Sequence, residues 1–298
     1  MKFEHSWTGN WENAFRGLRH PMESYAKSDS YFGIADCDAW FEDCRNEATY
    51  TYLPNDYGDE DLEKINEWLE KNGELRFGKH AGEYAYIGKN DLDLAQRMIK
   101  AGSPNDKFLR QIFVSVDITA PLYWWKEMDT YKVGTTANST STMHKLASTP
   151  ITLDCFEIDD YNPDLVFEEG MDDSGDTEWP YECRLGDYIG INETNAYFLE
   201  TWIGMLESLR RKYLETKDKR YWKELIRWLP EGWKQTRTWT ADYAVLRNII
   251  RWRKNHRLKY EWDSFINWAK SLPYSEELIF YENGYENGYE LHNLLSSK

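Results

Sequence analysis

Hydrophobic residues near the N-terminus recur with a helical period. The spacing over residues 10–19 predicts a short helix that begins near Asn10 and stops at Pro21. Its apolar face consists of Trp11, Ala14, Phe15 and Leu18. Small polar residues over 24–30 then predict a loop, and two interpretations of it stay open: ordinary turn chemistry or a ligand-binding loop. The cations beside this loop are Arg16, Arg19 and Lys27.

Two more helices are predicted before the middle of the chain. Residues 60–72 show a charged amphipathic pattern that is typical of a solvent-facing helix. A further helix begins at Asn90 or Asp91, because either side chain can cap the first turn. Gly102 is its predicted stop, since glycine readily adopts the backbone conformation that follows a helix.

The period changes from helix to strand after this point. Residues 110–118 alternate between apolar and polar positions, which predicts a β-strand. Its inward-facing residues are Ile112, Val114 and Val116. Phe113 belongs to the opposite face, so we expect a strand that is covered on both faces or packed at an interface.

A proline-started helix and a hydroxyl-rich segment follow the strand. Pro121 favours a helix over residues 122–129, because proline fits the first helical position. The side chains expected inside are Trp124, Trp125 and Met128. Residues 134–142 show neither a helical nor a strand period. We interpret them as a linker or as a loop that faces a phosphate or sugar, since hydroxyls and backbone N–H groups are donors for anions.

Helical periodicity dominates the C-terminal half. The predicted helices cover residues 193–216, 219–228, 241–254 and 259–271, with an extended piece over 231–239. Acidic residues crowd 154–190 without the ordered spacing of a calcium loop, which indicates a solvated insertion. Residues 276–298 are a polar tail. We therefore predict one domain over 1–275 that is interrupted by the acidic insertion.

Composition narrows the classes of function. The formal charge of −16 argues against coating nucleic acid, although a local basic pocket can still bind a small anion. The four cysteines lack the spacing of a metal site, so we expect no metal and free thiols in a reducing cytosol. No apolar run approaches a leader or a membrane span, which predicts a cytoplasmic location, the host cytoplasm if a phage encodes the chain.

Three segments resemble, in order, the flavin-dependent thymidylate synthases. The first is Gly102-Ser103-Pro104, the second is residues 120–127, and the third contains Gln235-Thr236-Arg237 and Leu246-Arg247-Asn248. The chain is more similar still to a group of uncharacterised synthase-like proteins of phages and prophages. The blocks that carry this similarity are residues 16–30, 108–127, 129–145 and 246–262.

The synthase signature itself is changed. The family has Arg-His-Arg at the positions that correspond to Thr130-Tyr131-Lys132, so one cation remains of the usual set. Losing bidentate arginine donors lowers phosphate affinity. Tyr131 can stack on a ring instead, and the hydroxyls of Thr135, Thr140 and Ser141 can hold a phosphate.

The resemblance implies an α+β fold with a central antiparallel or mixed sheet and long helices, assembled as a homo-oligomer, in the family a tetramer. It implies a thymidylate synthase-like methyltransferase that acts on a pyrimidine deoxynucleotide, by flavin-assisted methylation of dUMP or a related C5 modification. FAD is the implied cofactor, and a reduced folate and NADPH are candidate co-reactants. The alternative is a non-catalytic nucleotide-binding or phage structural protein on the same scaffold.

The resemblance also assigns site residues. Arg247 takes the catalytic position that faces the uracil, although the residue pattern alone favours a surface or interface arginine paired with acidic groups. The implied substrate-binding residues are Gln235, Arg237, Lys132, Thr140 and Ser141. The implied cofactor-binding residues are Ser103, Lys126, Tyr131, Lys132, Thr135 and Asn138.

Overall fold

The computed structural model describes residues 1–34, 83–164 and 195–281. The chain divides into a sheet unit, which contains Met1–Thr119, Lys126–Ser139 and Thr236–Lys298, and a helical unit, which contains Ala120–Trp125 and Thr140–Gln235. The predicted helix over 60–72, the acidic residues over 165–190 and the tail from residue 282 lie outside the described residues, as do Cys37, Cys44 and Cys183.

The described strands are β1 (Lys2–Gly9), β2 (Tyr31–Ile34), β3 (Glu83–Tyr86), β4 (Phe113–Pro121), β5 (Thr136–Ser139) and β6 (Lys234–Asp242). The described α-helices are α1 (Trp11–Arg19), α2 (Lys89–Ala101), α3 (Leu122–Met128), α4 (Thr142–Lys145), α5 (Asn195–Thr216), α6 (Lys219–Arg227), α7 (Tyr243–Arg253) and α8 (Lys259–Lys270). A 3-10 segment covers Asn105–Gln111, and a π-helical turn covers Ser275–Ile279. The α+β class predicted from the sequence is confirmed.

Four strands form the main sheet in the order β1-β4-β6-β5, with β1 antiparallel to β4 and β5 antiparallel to β6. One face is apolar, because the β4 residues Val114, Val116 and Ile118 are fully buried. Aromatic rings of α8 pack on this side, where Phe3 of β1 stacks on Trp268 with ring centroids 5.4 Å apart. Large rings dominate core energetics through their buried area. Aromatic packing on the apolar face therefore stabilises the sheet.

The other face of the sheet is polar. Thr119 and Thr236 share a 2.7 Å hydrogen bond across β4 and β6, and Thr238 donates to the Asp117 carboxylate at 2.5 Å. Phe113 lies on this face and is 44% exposed. The expectation of a strand covered on both faces is therefore not met among the described residues, and the alternative, packing at an interface, stays a prediction.

Two local predictions needed correction around β4 and β5. The strand begins at Phe113 rather than at residue 110, because residues 105–111 form 3-10 turns that bury the adjacent Phe108 and Leu109. Residues 134–142 were expected to lack a strand, but residues 136–139 form the edge strand β5. Four residues that are exposed on both sides show no alternation. Pairing with β6 therefore decides their conformation.

The polar loop over 24–30 serves the start of α2. The Asp29 carboxylate accepts hydrogen bonds from the backbone N–H groups of Asn90 and Asp91 at 2.9 and 3.1 Å. The cap that the sequence placed at Asn90 or Asp91 is therefore supplied from a distant loop. At the other end, α2 stops at Gly102, whose φ of +69° suits glycine.

The Asp91 side chain is instead the centre of a buried polar cluster. Its carboxylate is fully buried and pairs with Arg19 at 2.5 Å. The hydroxyls of Ser28 and Ser30 also donate to it, at 2.7 and 2.5 Å. These contacts satisfy a charge that would otherwise be very costly to bury. They favour the structural interpretation of the 24–30 loop over the ligand-binding one.

The helical unit contains its own small core. Leu206 of α5 and Leu225 of α6 are fully buried, and they cluster with Leu146, Ile151 and Phe156. Two large side chains of α5 remain partly accessible, since Tyr197 is 46% and Trp202 is 37% exposed. No helix in the described part of the chain is long and apolar enough to cross a membrane.

A nearly buried ion pair reinforces this core. The Glu207 carboxylate accepts two hydrogen bonds from Arg210 at 2.6 and 2.7 Å and one from the backbone N–H of Ile151 at 3.0 Å. Arg210 also donates to the carbonyl of Ala147 at 3.2 Å. The hydrogen bonds from Arg210 are the main reason that the pKa of Glu207 falls to about 2. The pair therefore ties α5 to the segment that precedes the core residue Ile151.

We predict that Asp91→Ala lowers the free energy of unfolding by about 3–5 kcal/mol, because it leaves the Arg19 guanidinium buried without its counter-ion. The matched control is Asp93→Ala on the same helix, whose carboxylate is 67% exposed. It should change stability by less than about 1 kcal/mol. Urea unfolding measures both, and equal effects would contradict a structural role for the Asp91 cluster.

We predict that Glu207→Gln makes the stability of the helical unit less sensitive to a fall in pH. A carboxyl whose pKa is lowered in the fold contributes stability above its ordinary pKa of 4.5 and loses it as the pH falls toward about 2. The full contribution is on the order of 3 kcal/mol. The stability difference between wild type and variant should therefore shrink from pH 7 to pH 2.5 in urea unfolding.

Glu215→Gln is the control on the same helix, because the Glu215 carboxylate is 68% exposed. It should leave the pH dependence of stability unchanged. A constant difference between wild type and Glu207→Gln across this pH range would contradict the assigned role.

Candidate functional site

A cavity of about 300 Å³ lies in the sheet unit beside α7. Its polar lining residues are Asp106, Arg110, Arg247, Asn248, Arg251 and Lys254. Ile250, Ile279 and Phe280 contribute apolar surface. Four of the lining side chains are cations and one is a carboxylate, in a chain whose formal charge is −16. The cavity therefore concentrates positive charge against the overall balance of the protein.

α7 carries Arg247 and Arg251, and Lys254 follows as the residue that caps its C-terminus. The three residues are four and three positions apart, which is the spacing of neighbours along a helix surface. Leu246 and Ile249 bury another face of α7, whereas Ile250 lines the cavity. The helix begins at Asp242, whose carboxylate accepts a 2.8 Å hydrogen bond from the N–H of Val245. A cap of this kind stabilises a helix by about 1 kcal/mol.

Arg247, the predicted catalytic residue, binds backbone in this structure. Its Nη1 donates to the carbonyl oxygens of Leu278 at 2.7 Å and Ile279 at 2.8 Å. Both terminal nitrogens lie 3.3 Å from the carbonyl of Tyr281. The guanidinium thus holds the segment that forms one wall of the cavity, while its charge remains at the cavity surface. A role for Arg247 toward a uracil stays a prediction.

The remaining cation and the one carboxylate come from the 3-10 segment. Asp106 and Arg110 are four residues apart in Asn105–Gln111, which packs against α7. Arg110 is exposed, and its charge is the smallest of the influences that oppose the rise in the pKa of Asp242 that burial causes. The cavity is therefore built from two elements whose own contacts fix their spacing.

A second cluster joins Arg253 of α7 to Tyr131, in the turn that follows α3. The guanidinium of Arg253 lies between two rings, with its carbon 5.2 Å from the centroid of Tyr131 and 5.0 Å from that of Trp262. It donates to the Tyr131 hydroxyl at 2.8 Å and pairs with Glu127 at 2.9 Å. Cation–π and charge-assisted contacts reinforce each other at such a site. We call these four residues the Arg253 clamp.

Other contacts hold the same turn. Arg237 pairs with Asp129 at 2.8 Å, and the Thr135 hydroxyl donates to the carbonyl of Tyr131 at 2.6 Å. Gly134 has a φ of +76°, and a Cβ there would meet Val245 at 3.0 Å. A side chain at this position would therefore be strained. Side-chain contacts from Arg237 of β6 and from Arg253 of α7 therefore hold the turn over residues 127–135.

The other predicted site residues lie in different surroundings. In the helical unit, Gln235 is buried and its side-chain amide donates to the carbonyl of Thr140 at 2.8 Å. Ser141, beside Thr140, accepts a backbone hydrogen bond from Lys145 and begins the turn into α4. In the sheet unit, the exposed residues are Ser103, Lys126, Lys132 and Asn138. The structure thus joins the Gln235 side chain to the backbone of Thr140, whereas Arg247 lies in the basic cavity.

The residues expected to hold FAD do not form a donor set suited to it within the described chain. Tyr131 carries Arg253 on its ring and accepts a hydrogen bond at its hydroxyl, so that ring face is not open to a flavin. The Thr135 hydroxyl is engaged with the Tyr131 carbonyl. The geometry therefore does not fit FAD held through Tyr131 and Thr135.

The shifted pKa values in this region have structural causes. Burial raises the pKa of the Tyr131 hydroxyl, and the neighbouring Arg253 opposes that shift. Burial also raises the pKa of Asp242, against hydrogen bonds from the N–H groups of Val245 and Ala244. Because burial is the largest cause in both groups, neither shift indicates an acid–base pair. Among the described residues, no group of three or more His, Cys, Asp and Glu is placed to hold a metal.

Sequence reasoning missed Arg110, Arg251, Lys254 and Arg253. The signal for two of them was present, because Arg251 and Lys254 continue the helical spacing from Arg247 on a predicted helix. Arg110 was assigned to the start of a strand, which hid its approach to α7. No sequence signal marks Arg253, since its partner Tyr131 is 122 residues away.

No protein-family model matches this sequence, and no curated protein matches it. The structure is similar to that of the flavin-dependent thymidylate synthase ThyX from Helicobacter pylori complexed with FAD and dUMP, with a TM-score of 0.51 and 12% identity over 94% of this chain and 98% of that chain. A second structure of ThyX from Helicobacter pylori with FAD and dUMP gives a TM-score of 0.50 and 12% identity, covering 96% of this chain and all of that chain. At this identity the similarity shows the fold.

We predict that Tyr131→Phe costs about 1–2 kcal/mol of unfolding free energy. The change removes the hydroxyl that accepts a hydrogen bond from Arg253 but keeps the ring beneath the guanidinium. Tyr131→Ala should cost more, because it also removes the cation–π contact. Tyr213→Phe, on the partly exposed face of α5, is the control and should have an effect within about 0.5 kcal/mol. A Tyr131→Phe variant as stable as wild type in urea would contradict the clamp.

Proposed function

We propose that this chain is a thymidylate synthase-like protein that binds a pyrimidine deoxynucleotide, with the nucleotide phosphate in the basic cavity of the sheet unit. The observation that carries the proposal is the grouping of four cationic residues around that cavity, namely Arg110, Arg247, Arg251 and Lys254. The fold supports it, since the similar ThyX structures contain dUMP.

Charge and size both suit a nucleotide phosphate. A phosphate monoester carries about −1.5 to −2 charges at neutral pH and offers strong acceptor oxygens. Arginine donors form short, charge-assisted hydrogen bonds to such groups. The volume of about 300 Å³ is at the lower end for ligand sites, so the cavity takes a small ligand or the charged end of a larger one.

The chain's own residues have distinct parts in binding. Arg251, Lys254 and Arg110 supply the charge that attracts the phosphate. Arg247 positions the wall through the carbonyls of Leu278 and Ile279, and it adds a fixed positive charge. The net acidic surface repels longer nucleic acid, so the cavity favours a free nucleotide.

The finer proposal is C5 methylation of the pyrimidine, which the family carries out with a flavin. The second candidate is nucleotide binding without catalysis on the same scaffold. The Arg253 clamp specifically favours the second candidate, because it occupies the Tyr131 ring where the family signature binds its cofactor. The two candidates differ in whether the purified protein carries a flavin.

We predict that dUMP raises the unfolding temperature of the purified protein. A ligand present at 100 times its Kd adds about 2.7 kcal/mol to the free energy of unfolding. Arg251→Gln should weaken the apparent affinity for dUMP at least tenfold, because it removes one charge-assisted contact. The stabilisation by dUMP should fall accordingly. Arg97→Gln is the matched control, since Arg97 is 61% exposed on α2 and its 2.9 Å ion pair with Asp93 lies at the surface.

Three outcomes decide the proposal. If neither dUMP nor dCMP stabilises the wild-type protein, nucleotide binding is wrong. If dUMP stabilises the protein and mass spectrometry finds FAD among the released small molecules, the methylation candidate is favoured. Stabilisation of a colourless protein without FAD favours the non-catalytic candidate.

A further inference from the structure

An exposed tryptophan lies next to the basic cavity. Trp252 belongs to α7, and its side chain is 55% exposed, although tryptophan is highly buried on average in folded proteins. Two residues that line the cavity, Asn248 and Arg251, both contact the Trp252 side chain. The Trp252 ring therefore lies at the edge of the cavity, with much of its surface open to solvent.

Two contacts hold this ring in place. Its Nε1 donates to the Oδ1 of Asn248 at 3.2 Å, four residues earlier on the helix. The guanidinium carbon of Arg251 lies 5.6 Å from the ring centroid, a distance that suits a cation–π contact. A side chain that is already ordered loses little conformational entropy when a ligand binds. Trp252 is therefore a preorganised aromatic surface.

The size of the cavity leaves a part of the ligand for this surface. Its volume of about 300 Å³ is at the lower end for ligand sites, so it accommodates the phosphate end of a nucleotide. The base then extends beyond the edge of the cavity. On the side of Asn248 and Arg251, the next surface that a base meets is the Trp252 ring.

We propose that Trp252 is the stacking surface for the base of a nucleotide whose phosphate occupies the basic cavity. This inference rests on the proposed function, and it names the residue that distinguishes a nucleotide from a sugar phosphate. Stacking between a base and an aromatic side chain tolerates any base, because every base has a flat π-face. Trp252 therefore selects for a planar ring and not for one particular base.

Trp228 provides a matched comparison in the helical unit. It is 46% exposed, and its Nε1 donates to the Glu224 carboxylate at 3.2 Å, again four residues earlier. Single exposed apolar residues of this kind are normal on protein surfaces. Trp228 thus shares the residue type, the exposure and the local hydrogen bond of Trp252, whereas the cavity belongs to the sheet unit.

The test compares dUMP with 2-deoxyribose 5-phosphate, which has the same sugar and phosphate without the base, by isothermal titration calorimetry. Wild type should bind dUMP about tenfold more tightly, because the base adds the stacking contact. Trp252→Ala should lower the affinity for dUMP by about tenfold and change that for the sugar phosphate by less than about twofold. Trp252→Phe keeps an aromatic face and should lose less than Trp252→Ala. Trp228→Ala should change neither affinity.

Fluorescence gives a second measurement that does not depend on the folding of Trp252→Ala. A base that stacks on an indole quenches its emission, so dUMP should lower the tryptophan fluorescence of wild type. Trp252→Phe should bind dUMP with a smaller decrease, because the quenched ring is absent. The sugar phosphate should leave the emission of both proteins nearly unchanged.

The outcomes separate this inference from the proposed function. If Trp252→Ala binds dUMP like wild type, or if wild type binds both ligands equally, the stacking role is wrong while binding at the cavity stands. If Trp252→Ala weakens both ligands equally, the ring acts only by positioning Asn248 and Arg251, which also overturns stacking. An equal effect of Trp228→Ala overturns the assignment to Trp252. If wild type binds neither ligand, the proposed function fails and this inference fails with it.

Discussion

The placement of α7 is the constraint on which both clusters of the sheet unit depend. Asp242 caps its N-terminus, and its buried face carries Leu246 and Ile249. Arg253, near the other end, is held between the rings of Tyr131 and Trp262. Because a helix is rigid over this length, fixing these points also fixes the direction in which Arg247, Arg251 and Lys254 project. The basic cavity is thus a consequence of how one helix is anchored.

Two arginines of α7 show how the same residue type takes different structural parts. Arg253 satisfies its charge with Glu127 and two aromatic faces, which removes it from the solvent. Arg247 satisfies much of its hydrogen bonding with the carbonyls of residues 278–281. Guanidinium is suited to both, since it is planar, weakly hydrated and always charged. The two arginines therefore hold different segments of the chain against α7.

Most helices could be predicted from the sequence because they depend on local signals. α1, α7 and α8 begin and end within two residues of their predicted bounds, where caps, glycine or proline mark the ends. The edge strand β5 could not be predicted in this way. Its four exposed residues carry no periodic pattern, and their conformation depends on hydrogen bonds to β6, about 100 residues later.

The residues of the candidate site also divide into those that the sequence could predict and those that it could not. The sequence drew attention to Arg247 and to the turn around Tyr131, through a resemblance confined to short blocks. It did not reveal that Arg253 occupies the Tyr131 ring or that Asp29 caps a helix sixty residues away, because such pairs join distant parts of the chain.

The sequence by itself determined the helical periods, the acidic balance and the spacing of cations along α7, all of which follow from residue order and local geometry. Only the tertiary structure decided which cations contact carboxylates, carbonyls or aromatic rings and which line a cavity. The physical reason is that a charged side chain pairs with the group that packing brings within about 3 Å, and packing is a property of the whole fold.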